Sequence, residues 1–277
     1  MKRVFKYLGL ALLIYLAYAG IQAYRVLDQA EVFKEAVYET EAPTLAEDFP
    51  DNAVLVFSKT NEFRHHQAIA AANQLFRDIA QKHNLPIYFT ENGAIHNTEQ
   101  LKKFSTIIWN NNTGDVLTPE QRQALADYIK QGGHWLGIHG AGGSRDYDWQ
   151  WYPQQLLKAT FIGHPLFPQF QQATIDVEDR THPATQHLPA RWQRTEEWYS
   201  FEQSPRVKGV QVLASLDEST YNPKLDLLMD DDHPLIWTHK LGQGIVFYTA
   251  LGHNGSAYQE PEYQQLLENT LLWLMNE

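Results

Sequence analysis

Cysteine is absent from the 277 residues. That one absence removes disulfides, thiolate metal ligands, a cysteine nucleophile and cysteine-linked lipid together. Basic residues are also scarce: 22 Lys and Arg against 33 Asp and Glu leave a formal charge of −11. No Lys/Arg cluster occurs beyond the first few positions, so nucleic acid is not an expected partner. Neither HExxH nor HxH appears, so no metal motif is visible locally. There is no internal repeat and no low-complexity tract. The remaining chain is long enough, and at 43% hydrophobic apolar enough, for one large domain with a full core.

Long apolar runs are rare too, and the exception stands at the N-terminus. Lys2, Arg3 and Lys6 precede an apolar stretch from Tyr7 to Ala23. Its length suits an export signal or a short membrane span. Ala17-Tyr18-Ala19 before Gly20 fits a small-x-small cleavage site, whereas Tyr15, Tyr18 and Arg25 favour an uncleaved anchor. The positive flank predicts that the rest of the chain crosses to the outside. The division expected is residues 1–23 as signal peptide or membrane anchor, 24–50 as a charged linker or stalk, and 51–277 as an α/β domain. Residues 4–23 would contact the membrane if uncleaved, with the domain on the extracytoplasmic, periplasmic side. Oligomeric state is not legible.

Within the domain, strand and helix signals alternate. Ala53–Phe57, Pro86–Thr90, Ser105–Trp109 and Trp135–Ile138 are apolar runs of the kind buried on both faces of a sheet. Between them, Ile69, Ala72, Leu75, Phe76 and Ile79 recur at helical spacing, and Thr118-Pro-Glu-Gln is a capped helix start. This order predicts an open, doubly wound parallel sheet, flavodoxin-like in outline. Beyond Phe161 the runs 173–177, 210–214, 235–238 and 245–248 lack long helices between them, and Leu241-Gly-Gln-Gly244 reads as a hairpin turn. The second half is therefore expected to be β-rich, closed by a helix carrying Tyr263, Leu266, Leu267 and Leu271.

Ligands of such sheets sit at the carboxyl ends of the strands. Three stretches fall there. The first strand leads to His65 and His66, the third to Asn110–Asp115, and the fourth to His139 within GGHWLGIHGAGG. Small residues around His139 suit a sharp strand-to-helix turn that presents one side chain, here an imidazole able to act as acid, base or metal ligand. Among twelve histidines, His164, His182, His233 and His253 also stand beside glycine or proline. Glu196 and Glu197 lie against Trp198 and Tyr199, where lost solvation raises a carboxyl pKa; strand alternation would turn at most one of the two inward. Trp149, Trp151 and Tyr152 suit either a sugar-stacking wall or the core.

Several of these pieces occur in an order that resembles the ThuA-like (trehalose-utilisation) family. They are Phe63-Arg-His65, Asn112-Thr-Gly-Asp-Val-Leu117, Gly132–Ala141, Phe161-Ile-Gly-His-Pro165, Glu196-Glu-Trp-Tyr199 and Gly242–His253, and the match runs from about Asn52 to the C-terminus. The resemblance implies a class I glutamine-amidotransferase-like fold with His139 in the place of the catalytic cysteine. Glutamine hydrolysis through a thioester is then unavailable, and a sugar or keto-sugar becomes the expected ligand. On this reading His139, Glu197 and His65 are the catalytic candidates. Arg64, Asn112, Thr113, Trp198 and Tyr199 are the substrate-binding candidates. No cofactor is fixed by the sequence, but His65, His139 and His253 are candidate ligands for a divalent, zinc-like ion. An enzyme of the hydrolase, lyase or isomerase type is one expectation; a non-catalytic carbohydrate-binding or sensing domain tethered to the membrane is the other. Proximity of the three imidazoles favours the enzyme; scatter favours binding.

Overall fold

A computed structural model describes residues 2–230 and 232–277. The first helix, α1, spans Lys2–Gln29. Its segment Phe5–Gln29 has a mean hydropathy of 1.5 and buries none of its most apolar window against the rest of the protein. After α1 the charged stretch read as a linker lies along the domain. The Glu39 carboxylate accepts from Lys59 Nζ at 2.6 Å and from the Gly93 amide at 2.9 Å. Gln121 and Gln100 donate to the carbonyls of Glu39 and Pro43 at 2.7 and 2.6 Å. These bonds make a strap of it.

Strand and helix then alternate as the apolar pattern predicts. The elements are β1 (Ala53–Phe57), α2 (His66–His83), β2 (Ile87–Thr90), α3 (Thr98–Leu101), β3 (Phe104–Asn110), α4 (Pro119–Lys130) and β4 (His134–Ile138). All five residues of β1 are buried, as a strand covered on both faces requires. Helix α2 buries Ala68, Ile69, Ala72, Leu75, Phe76 and Ile79 and stops at Asn84, whose left-handed backbone lets its amide reach the Ala80 carbonyl. Helix α4 begins with a reciprocal cap between Thr118 and Gln121 and has Pro119 in its first turn.

The second half contributes β5 (Phe161–Gly163), β6 (Phe170–Val177), β7 (Arg191–Glu197), β8 (Ser200–Phe201), β9 (Gln211–Asp217), β10 (Pro234–Leu241), β11 (Gly244–Thr249) and the closing helix α5 (Pro261–Met275). Most of it extends the same sheet. Nine strands run in the order β2-β1-β3-β4-β11-β10-β9-β6-β7, with β5 and β8 forming a separate pair. The first five are parallel and the remaining pairings antiparallel. At the β10–β11 turn, Gly242 has φ +67°, and a Cβ there would lie 2.6 Å from the Lys130 backbone; only glycine fits.

One register detail positions the site. Strand β6 pairs with β9 only from Thr174 onward, but with β7 back to Phe170 opposite Glu197. The β6–β7 hairpin therefore overhangs the sheet at the rim where β4 and β11 end. A flat sheet would hold β7 about 24 Å from β4, at about 4.8 Å per strand. The twist of successive strands brings the overhang back over that rim.

Candidate functional site

Four chain segments deliver the site. His139 follows β4 with φ +43°, a left-handed conformation unusual outside glycine. Its neighbours leave the turn no slack: a Cβ on Gly142 would sit 2.5 Å from Tyr248 Oη. The His139 carbonyl accepts from that hydroxyl at 2.8 Å. On the ring, Nδ1 lies 2.7 Å from the Ala250 carbonyl, which can only accept. Nδ1 therefore carries the proton, and the lone pair of Nε2 faces the rim.

That Nε2 is 3.2 Å from His253 Nδ1 and 3.4 Å from Glu197 Oε2. His253 follows β11, and its Nδ1 is 2.9 Å from Glu197 Oε2. His65, just before α2, completes the group: its ring centre is 5.0 Å from that of His139 and 4.7 Å from that of His253. Among the described residues His65 Nδ1 is buried without a hydrogen-bond partner, an orphaned polar atom that calls for an explanation. One donor atom from each of His65, His139, Glu197 and His253 lies within 4.8 Å of all the others. Three imidazoles and a carboxylate are the nitrogen and oxygen donors that divalent transition metals take, so these side chains fit such an ion.

Electrostatics agree with that donor set. Burial lowers the pKa of His65 well below the ordinary imidazole value, and His139 and His253 push it further down, so the ring is neutral. For Glu197, burial acts to raise the pKa, but the neighbouring imidazoles of His139 and His253, the latter with Nδ1 at hydrogen-bond distance, outweigh it and hold the group as a carboxylate. Glu197 is therefore not a proton donor in this arrangement, which differs from the raised pKa that its aromatic neighbours suggested.

Glu196 is buried as well, so strand alternation does not leave one of the pair in solvent. Its carboxylate accepts from Arg194 at 3.1 Å, from the Gly252 amide at 2.9 Å and from the His253 amide at 3.3 Å. The Arg194 guanidinium lies between the rings of Trp192 and Tyr263, 4.8 Å from each centre. Glu196 thus fixes the loop that carries His253.

A cleft of about 290 Å³ opens over the cluster, and Leu27, Phe63, Thr113, His164, Leu166 and Tyr199 are among its walls. A larger hollow of about 360 Å³ lies at the other end of the strands beside Asn52 and His134, away from the clustered donors. His164 Nδ1 is 3.2 Å from Glu197 Oε1, and Gln169 donates to the same oxygen at 2.5 Å. Neither residue stood in the sequence-derived site set. The Gly163-His164-Pro165 triplet was the available signal, and Gly163 at φ +153° permits that backbone path.

The other candidates divide. Thr113 and Tyr199 line the cleft, with the Tyr199 ring 4.2 Å from that of His139. Arg64 points away, bonded to Glu91 at 2.5 Å in a separate charged hollow. Asn112 is buried and donates to the Lys59 carbonyl, and Trp198 is fully buried with Nε1 on the Gln171 carbonyl. His66 binds the Gln29 carbonyl rather than the cluster. Trp149 and Trp151 stack on each other and Tyr152 stacks on Trp109, all outside the cleft. His182 and His233 are held by local bonds to Ala184, Glu218 and Tyr199.

A search of the curated proteins finds no match. Among solved structures, a protein described as ThuA-like from Bacteroides uniformis is 26% identical with a TM-score of 0.69, over 84% of this chain and 95% of that one. One so described from Parabacteroides merdae is 14% identical with a TM-score of 0.62, over 81% and 90%. A cytoplasmic protein from Salmonella typhimurium shares the fold at 11% identity and a TM-score of 0.52, over 80% and 98%. The family model described as trehalose utilisation matches residues 53–274, a span that includes all four clustered donors. The chain therefore belongs to the ThuA family, and its role lies in carbohydrate utilisation.

Proposed function

We propose that this protein is an enzyme acting on a sugar or keto-sugar, with a divalent, zinc-like ion held by His65, His139, His253 and Glu197. The observation that carries the reading is the convergence of those four donors from four strand ends. His139 Nε2 is presented as a lone pair by the bond from Nδ1 to Ala250, and His65 Nδ1 has no other partner among the described residues. Such an ion would supply positive charge to a substrate oxygen. The residues around it do the rest. Thr113 and Tyr199 bound the space a sugar would fill. His164, at the cleft wall with 22% of its side chain exposed, is placed to take or give a proton on a bound sugar. Glu197 stays ionised beside it, with Oε1 3.2 Å from His164 Nδ1. The convergence also weighs against a purely binding domain, as does the burial of Trp198, which removes the most obvious stacking surface.

The test is the metal content of the full chain in detergent after exposure to zinc, for wild type, His139→Ala and His187→Ala. About one ion per chain in wild type and His187→Ala, with loss in His139→Ala, is expected. Equal content in all three would sink the assignment. Sugar turnover followed by nuclear magnetic resonance should then fall about 100-fold in His164→Gln with metal retained, the usual scale for one acid–base group.

A further inference from the structure

Leu27 belongs to α1, yet it forms part of the wall of the cleft. The end of the apolar helix and the mouth of the site are thus one place. Two bonds lock them together: the Arg64 amide donates to the Ala30 carbonyl at 2.7 Å, and His66 Nε2 meets the Gln29 carbonyl at 2.9 Å. Ala30 itself is buried. Across the mouth stands Leu166, 60% exposed, followed by Phe167, 82% exposed. Two large apolar side chains so exposed on one loop mark a contact surface.

Helix geometry says what that surface meets. Phe5 to Tyr24 at about 1.5 Å per residue covers about 30 Å, the thickness of a bilayer's hydrocarbon core. Leu27 is then about 5 Å further on, inside the headgroup layer. Tyr24 and Phe33 stack at 5.2 Å beside that level, where aromatic rings favour the interface. The strap fixes the domain here, so it cannot stand off from the bilayer.

We propose that the cleft rim is a membrane-contact surface: α1 remains as an anchor, the Leu166–Phe167 tip seats among lipid headgroups, and the site opens along the bilayer. A sugar presented at the lipid surface, carried on an apolar group that Leu27, Phe63 and Leu166 can cover, is the substrate form this geometry admits. The proposal concerns the placement of the cleft, and its test does not depend on the metal assignment.

The chain has no cysteine, so single reporters can be placed cleanly. Full-length Phe167→Cys and Lys102→Cys proteins would each carry an environment-sensitive fluorophore in vesicles of phosphatidylethanolamine and phosphatidylglycerol. Lys102 lies beside the hollow at the opposite end of the strands and is 63% exposed. The expected result is several-fold stronger quenching of the label at 167 by spin-labelled lipid, with weaker quenching by aqueous iodide than at 102. Equal iodide quenching at both positions would overturn the proposal. So would recovery from cells of only a processed chain starting after Ala19.

Discussion

At the scale of single residues, the site depends on side chains that touch no ligand. Glu196 binds the amides of Gly252 and His253 while neutralising Arg194, with both charged groups 1% exposed. Replacing Glu196 with glutamine keeps the shape but leaves the Arg194 charge buried and loosens the His253 loop. Removing one partner of such a pair costs about 3–5 kcal/mol, and mis-set outer-shell groups cost about 10–100-fold in metal affinity. Chemical denaturation and a chelator competition should read those two losses separately. Gly142→Ala tests the turn: its methyl would press on Tyr248 Oη, and a loss of about 1–3 kcal/mol is expected by thermal melting. His139 was legible as a site residue because small residues crowd around it. The burial of Glu196 together with Glu197 and the contact of His164 with Glu197 were not legible, since neither a loop's path nor a twisted overhang leaves a mark in local spacing.

Elements show a sharper contrast. The parallel half could be read strand by strand, because each run is continuously apolar and each connection carries a helical period. The second half gave four of its strands and the β10–β11 hairpin, but not the other pairings, since pairing across long loops depends on register rather than pattern. The strap read as a linker for a plain reason: charges in a stretch say nothing about what they face. Glu39 makes it a clasp, and its pH response follows. Burial acts to raise its pKa, but Lys59 and the Gly93 amide outweigh that and lower it. A folded pKa below the unfolded value of about 4.3 stabilises the clasp above that pH and loses the contribution as pH falls through the lower folded value. The Gly93 amide should lose protection against hydrogen exchange, measured relative to its intrinsic rate at each pH, below about pH 4. Glu39→Gln should show faster exchange at neutral pH too, with a cost of about 2 kcal/mol.

For the whole molecule, the proposed ion would link the two halves of the chain, since its donors come from both. Any ligand that binds only the folded state adds stability by mass action, about 2.7 kcal/mol at a concentration 100 times its dissociation constant. Zinc should therefore raise the melting temperature of wild type and leave that of His139→Ala unmoved; an equal rise in both would place the effect elsewhere. Acidification should release the ion as protons compete for imidazoles, whose unperturbed pKa is about 6.5. The fold class and the rim as the functional edge were visible in the sequence, and the family resemblance grouped His65, His139 and His253; Glu197 as a fourth donor was not visible, because nothing in the spacing encodes how far a sheet twists.

That same spread of donors along the chain sets a timetable. His65 and His139 are synthesised early, while Glu197 and His253 come late, the last just before α5. A growing chain, or one threading a membrane pore unfolded, has at most a fragment of the cluster at any moment. The proposed ion could be captured only after the final strand has closed against β4, in whichever compartment the finished domain comes to rest. The metal supply of that destination, rather than that of the site of synthesis, would then decide which ion the cluster holds.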